Sequence, residues 1–140
     1  MGRGDMRITA DTNILVRVIV RDDIPQAQKA LRILAAADAV FIPLPCLCEF
    51  VWVLDKTYGL SRESTGSAIR GIVERANVAT DVGAVDAGLR VLGSGGDFAD
   101  GVMAAAGTAM GAEAFVSFDR EAVARVAAIG LNARNAREFA

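Results

Sequence analysis

The chain has 140 residues, of which 53% are hydrophobic and 6% aromatic, and it carries a formal net charge of −2. This length fits one domain with a sizeable core of Ala, Val, Leu and Ile, and the charge excludes a strongly basic protein, although a local groove for nucleic acid stays open. The chain contains no histidine, which excludes His-based catalytic triads and His-based zinc sites.

The hydrophobic pattern predicts strands that alternate with helices along the chain. The predicted strands cover residues 7–11, 39–43, 77–80, 113–118 and 131–133. The predicted helices cover 12–20, 25–37, 45–58, 61 to about 76, a segment that ends near 93–96, 97–110 and 120–129. Asp23, Pro25 and Ser61 are typical of helix starts, and Gly59 is typical of a helix end. This order predicts an α/β fold, a three-layer sandwich with a mainly parallel central sheet flanked by helices, which binds ligands beyond the carboxyl ends of its strands.

We interpret residues 6–140 as one domain and residues 1–5, which precede a second methionine, as an N-terminal extension or a cloning remnant. No signal peptide is evident, and the longest charge-free apolar stretch, residues 101–112, is too short to span a bilayer. Cys46 and Cys48 are too few for a zinc site and are interpreted as buried, inert thiols. Together these features predict a cytoplasmic protein without a membrane segment.

Four carboxylates occupy positions where a charge is unexpected. Asp11 and Asp119 each follow the apolar end of a predicted strand, and Glu49 is the only charge in the ten residues PCLCEFVWVL. Asp100 lies one turn into an apolar helix whose predicted cap is Asp97. We expect each to lie at or near a buried surface, where an unpaired charge is strongly disfavoured.

Each acid also has a purely structural interpretation. An aspartate before a helix can cap it, which contributes about 1 kcal/mol, and a lone glutamate can turn to solvent or pair with an arginine. One cation held by all four acids explains every position at once. Oxygen donors without His or a Cys cluster favour Mg²⁺ or Mn²⁺, and such ions promote hydrolysis of phosphodiesters or phosphate esters.

Three segments, ADTNILVRVIVRDD, DFADGVMAAAGTAMGAE and AFVSFDREAV, together with the glutamate of LPCLCEFVWVL, carry a family pattern. The chain resembles the PIN-domain ribonucleases, most closely the VapC-type toxins of bacterial toxin–antitoxin pairs, from Met6 onward. The resemblance implies that four acids are catalytic and bind the metal ion: Asp11, Glu49, Asp100 and Asp119.

The resemblance also assigns auxiliary positions. Asp97 is an auxiliary acid or a plain helix cap, and we expect it mainly to start the helix. Asn13 supports the acid cluster or bonds to the local backbone. Ser117 stands where the family's Thr-x-Asp ending has threonine, and it keeps the hydroxyl group.

The implied activity is a Mg²⁺- or Mn²⁺-dependent endoribonuclease that hydrolyses RNA phosphodiester bonds through metal-activated water and leaves a 5′-phosphate. The implied partners are the RNA substrate, a cognate antitoxin and a second copy in a homodimer. The helix around Trp52 offers a groove for the antitoxin, but a core tryptophan is the preferred interpretation. Candidate phosphate contacts, each equally interpretable as a solvated helix residue, are Arg17, Arg21, Lys56 and Arg120.

Two other functions stay open. A phosphatase of the haloacid dehalogenase type also places an aspartate after its first strand, but it requires a second aspartate where this chain has Asn13, and a late lysine where the last one is Lys56. A non-catalytic α/β binding module would use the acids structurally. The segment GSGGDF is not a dinucleotide fingerprint, because Phe98 stands where the third glycine belongs.

Overall fold

The computed structural model describes residues 6–140, and the predicted extension over residues 1–5 lies outside the described residues. The chain divides into two compact units, with the boundary between Thr80 and Asp81. Every strand pair is parallel, and helices separate the strands along the chain. The predicted α/β class is therefore confirmed.

The first unit builds a three-stranded parallel sheet in the order β1-β2-β3. Its elements are β1 (Arg7–Thr9), α1 (Thr12–Ile19), α2 (Ile24–Ala36), β2 (Ala39–Phe41), α3 (Leu44–Lys56), α4 (Arg62–Val73) and β3 (Val78–Ala79). Thr9 pairs with Phe41, so that β1 and β2 end at the same edge. Asp11 follows β1 at that edge, and α1 packs against both α2 and α3.

The helix boundaries of this unit follow from local chemistry. Asp23 caps α2 through a carboxylate oxygen that accepts the N–H of Gln26 at 3.1 Å, and Ser61 caps α4 in the same way. α3 ends before Gly59, whose φ of 65° lies in the left-handed region that glycine adopts without a steric penalty. These three sequence predictions are confirmed.

The second unit contains a two-stranded parallel sheet, β4 with β5. Its elements are α5 (Val82–Gly93), α6 (Phe98–Ala109), β4 (Phe115–Ser117), α7 (Arg120–Ala128), β5 (Ala133–Asn135) and a 3₁₀ turn (Ala136–Glu138). Ser117 pairs with Asn135, so both strands end together.

Close packing of α5 against α6 depends on glycine. A Cβ added at Gly101 would lie 2.5 Å from the carbonyl oxygen of Ala87, and one at Gly88 would lie 2.7 Å from the ring of Phe98. Gly101 directly follows Asp100, so this contact fixes the end of α6 that carries the candidate acids.

Two sequence expectations are wrong. The last strand covers residues 133–135 rather than 131–133, because pairing with β4 sets its position and places Ala133 opposite Phe115 and Asn135 opposite Ser117. Trp52 is 59% exposed rather than buried. It lies about 200° around α3 from buried Phe50, so the core-facing stripe misses it. Within residues 6–140, no helix is long and apolar enough to cross a membrane.

Candidate functional site

Two of the predicted acids, Asp11 and Glu49, are linked in the first unit through Thr12. Asp11 is the N-cap of α1, and its Oδ1 accepts the backbone N–H of Thr12 at 2.7 Å. The Thr12 hydroxyl donates to Oε1 of Glu49 on α3 at 2.6 Å. Thr12 is only 7% exposed, whereas both acids are exposed. A buried hydroxyl therefore orients an exposed carboxylate.

Cys46 lies one turn before Glu49 on α3 and completes this network. Its thiol donates to the carbonyl oxygen of Ala10 at 3.5 Å, and its sulfur lies 3.7 Å from the Thr12 hydroxyl. Burial raises the pKa of Cys46, the Thr12 hydrogen bond opposes that rise, and the charges of Asp11 and Glu49 add to it. The protonated thiol is consequently favoured, which fits an inert packing role, although Cys46 and Cys48 are half-buried rather than buried.

Three further acids neighbour one another in the second unit. Asp97 is the N-cap of α6, and its Oδ1 accepts the N–H of Ala99 at 3.1 Å. Asp100 lies in the first turn of that helix and is half-buried. Burial raises the pKa of Asp100, and the negative charges of Asp97 and Asp119 raise it further. These carboxylates thus repel one another across a short range, which a bound cation would relieve.

Asp119 caps α7 and belongs to a local turn. Its Oδ1 accepts the N–H groups of Glu121 at 2.9 Å and Ala122 at 3.3 Å. The hydroxyl of Ser117 accepts the Asp119 N–H at 3.0 Å. Both cap bonds converge on one oxygen, Oδ1, of an exposed side chain.

The four principal acids were expected at or near a buried surface, and the structure partly buries only one of them. Asp11, Glu49 and Asp119 are exposed, and only Asp100 is half-buried. The reason is geometric: two follow strands at a sheet edge, and Glu49 lies off the stripe of α3 that faces the core. Asn13 is also exposed. The capping interpretation applies to Asp11, Asp97 and Asp119 as a structural fact, and each uses one carboxylate oxygen, Oδ1, for its cap bonds.

Sequence reasoning missed Thr12 and Cys46. Cys46 and Glu49 are three residues apart, which places them on one helix face, and this spacing was a usable signal. Thr12 gave a weaker signal, because its partner lies 37 residues away and the pairing of α1 with α3 is not readable from a single segment.

The donor set suits a hard divalent cation in kind, since the acids supply oxygen ligands only. Along residues 6–140, no three Asp, Glu or Cys side chains are grouped closely enough to hold a metal ion as they stand. The first unit contributes two linked acids to the candidate set, and the second contributes three.

Comparison with protein families identifies the class of the protein. The PIN domain model matches residues 8–129, and the chain belongs to the PIN-domain family. PIN domains are generally nucleases that use divalent metal ions, so the match supports a nuclease, a hydrolase, rather than a dehalogenase-type phosphatase. A search of curated proteins found no relative that matches the chain.

Proposed function

We propose that the chain is a Mg²⁺- or Mn²⁺-dependent endoribonuclease in which Asp11, Glu49, Asp100 and Asp119 act as one set. The observation that carries this proposal is the match of residues 8–129 to the PIN domain family, and it is supported by the crowding of negative charge at Asp100, which lies near Asp97 and Asp119. Such crowding disfavours the ionised carboxylates when no cation is bound, and a bound cation relieves the repulsion.

Each residue has a defined role in this proposal. When bound, the ion would neutralise charge on the phosphoryl group and lower the pKa of water. Asp100 and Asp119 would supply oxygens from the second unit, and Asp11 would supply its second oxygen while capping α1. Glu49 would be held by the Thr12 hydroxyl, so that its other oxygen points in a fixed direction. Asp97 would chiefly hold the start of α6, with Asn13 and Ser117 as auxiliary residues.

Cleavage of a labelled RNA in Mn²⁺ or Mg²⁺, with and without a chelator, tests the proposal. We expect metal-dependent cleavage that leaves 5′-phosphate ends, and loss of cleavage in Asp100→Asn. Asp81→Asn is the control, because Asp81 is another aspartate at a helix start, where it caps α5 through the N–H of Ala84, and it is outside the proposed set. Cleavage that persists in excess chelator, or that Asp81→Asn removes equally, would contradict the proposal.

We also propose that this nuclease is the toxin of a toxin–antitoxin pair, working in the cytoplasm as a homodimer. The exposed Trp52 on α3 supports a partner surface, since an exposed tryptophan is a frequent anchor in protein interfaces. Expression of the chain alone should arrest growth, and Asp100→Asn should remove the arrest. Growth unaffected by the wild-type chain, at an expression level where cleavage is measurable in lysate, would contradict the toxin role.

A further inference from the structure

The residues just beyond β4 and β5 place aromatic and cationic side chains together. Because Ser117 and Asn135 are in register, Phe118 and Arg137 emerge at the same edge of this sheet. The guanidinium of Arg137 lies 5.5 Å from the centre of the Phe118 ring, and its Nη1 donates to the Phe118 carbonyl oxygen at 2.8 Å. Phe118 is nevertheless 68% exposed. The ring is therefore held in place and open to solvent.

A pocket of about 420 Å³ has Arg137 in its lining, and its size falls within the range of small-ligand sites. It is lined by Arg120, Val123, Ala124, Asn135, Arg137 and Glu138. The carboxylate of Glu138 accepts the backbone N–H of Asn135 at 3.0 Å. Within residues 6–140, neither Arg120 nor Arg137 forms an ion pair with a carboxylate. The pocket lining therefore holds two cationic side chains and one anionic side chain, Glu138, whose carboxylate is bonded to the Asn135 N–H.

Two of the other candidate phosphate contacts from the sequence, Arg17 and Lys56, are already engaged. Arg17 pairs with Asp22 at 3.0 Å, and Lys56 pairs with Asp55 at 3.5 Å. Arg120, by contrast, lies in the first turn of α7, where the helix dipole disfavours a cation. A residue that breaks a local rule in this way is typical of a functional position.

We propose that Phe118, Arg120 and Arg137 form a subsite for one unpaired nucleotide of an RNA strand, next to Asp119. This inference rests on the proposed function, because Asp119 belongs to the proposed acid set and directly follows Phe118 in the chain. The base stacks on the open face of the Phe118 ring, and the two arginines contact the flanking phosphates. An unpaired base is required, since only a splayed base presents its face to an aromatic ring.

Charge and shape favour RNA over an acidic peptide as the occupant. Two arginines suit either ligand, but an exposed phenylalanine ring held beside a guanidinium is typical of base stacking in single-strand binding sites. Phe118 and Arg137 are positioning residues in this view, because they hold the strand while the acids perform the chemistry.

Binding of a fluorescein-labelled octauridylate to the full chain, measured by anisotropy in a chelator so that no cleavage occurs, tests the subsite. Phe118→Ala should weaken binding about tenfold without changing its salt dependence. Arg120→Ala should reduce the slope of log affinity on log salt by about 0.7, the loss of one phosphate contact to a single strand. In the cleavage assay, Phe118→Ala should raise KM more than it lowers kcat.

Matched controls come from the other unit. Ile24→Ala removes another exposed large apolar side chain, and Arg32→Ala removes another exposed arginine; both should bind octauridylate as the wild type does. Equal binding by wild type and by Phe118→Ala and Arg120→Ala would overturn the subsite, as would full displacement of the RNA by an equimolar polyglutamate peptide. If the wild type cleaves RNA and the Phe118→Ala and Arg120→Ala variants bind RNA normally, only the subsite is contradicted. If the variants weaken RNA binding but the wild type shows no metal-dependent cleavage, only the proposed function is contradicted.

Discussion

The hydroxyl of Thr12 is the most specific structural support for the candidate site. In Thr12→Val, a methyl group replaces the hydroxyl with almost no change of shape, while the backbone N–H bond to Asp11 remains. The lost partner is the 2.6 Å bond to Glu49. A hydrogen bond to a charged group contributes roughly 1.5–3 kcal/mol, but Glu49 is exposed and water replaces the missing donor.

We therefore expect the free energy of unfolding to fall by about 1 kcal/mol, and the midpoint of thermal unfolding to fall by about 3 °C. The effect on catalysis should be larger than this stability change suggests. Glu49 loses its fixed direction, so kcat in the RNA cleavage assay should fall at least about tenfold with KM little changed. Thr12→Ser, which keeps the hydroxyl, should restore most of the rate.

The matched control is Thr65→Val, the same change at the other buried threonine, which lies on α4 and is 2% exposed. It should alter stability without lowering kcat. The reasoning is refuted if Thr12→Val cleaves RNA at the wild-type rate, or if Thr12→Ser is as slow as Thr12→Val. A Thr65→Val protein that loses as much activity at the same folded fraction would also refute it.

Three further predictions test other parts of the account. Asp97→Asn should keep much of the cleavage activity, since asparagine caps a helix nearly as well as aspartate. Asp100→Asn should abolish cleavage in a folded protein. Equal losses of cleavage activity in the two variants would contradict this division of roles. The raised pKa of Asp100 means that the folded state favours the protonated carboxyl. Asp100 therefore contributes to stability at pH values below its ordinary pKa of 3.8, and this contribution is lost as pH rises through its raised pKa in the folded state. Asp100→Asn should accordingly gain thermal stability over the metal-free wild type as pH rises from about 4 toward 7, and denaturation midpoints that differ equally at both pH values would contradict the burial and repulsion given for Asp100. Gly101→Ala should destabilise the protein by roughly 1–3 kcal/mol in urea titrations, because its Cβ would meet the Ala87 carbonyl at 2.5 Å. Gly71→Ala, with no atom within 4 Å of the added Cβ, should stabilise the protein by about 0.5–1 kcal/mol. The opposite order would show that α5 and α6 are not packed through glycine.

Local features of the fold were predictable from short segments. Asp23 and Ser61 cap helices because their side chains reach N–H groups three residues away, and Gly59 ends α3 because it adopts a positive φ. Such signals depend on a few neighbouring residues, which is why the order of helices and strands followed from the sequence. The last strand and the exposure of Trp52 did not, because edge position and helix rotation depend on packing with distant elements.

The candidate site divides in the same way. Asp11 and Asp119 stand out in the sequence because each follows an apolar strand, and Asp97 because it precedes a helix; the structure places each as an N-cap. The Thr12–Glu49 bond and the contact of Arg137 with Phe118 join residues 37 and 19 positions apart. Neither pair shows a local pattern, so only the folded arrangement of helices and strands reveals them.

The central claim is that Asp11, Glu49, Asp100 and Asp119 bind one kind of ion as a set. Anomalous diffraction at the manganese edge, from crystals of the full chain soaked in Mn²⁺, tests it most directly. The account predicts a peak within coordination distance of carboxylate oxygens of this set, absent in Asp100→Asn crystals. Manganese bound elsewhere, with these four side chains directed away from one another, would contradict it.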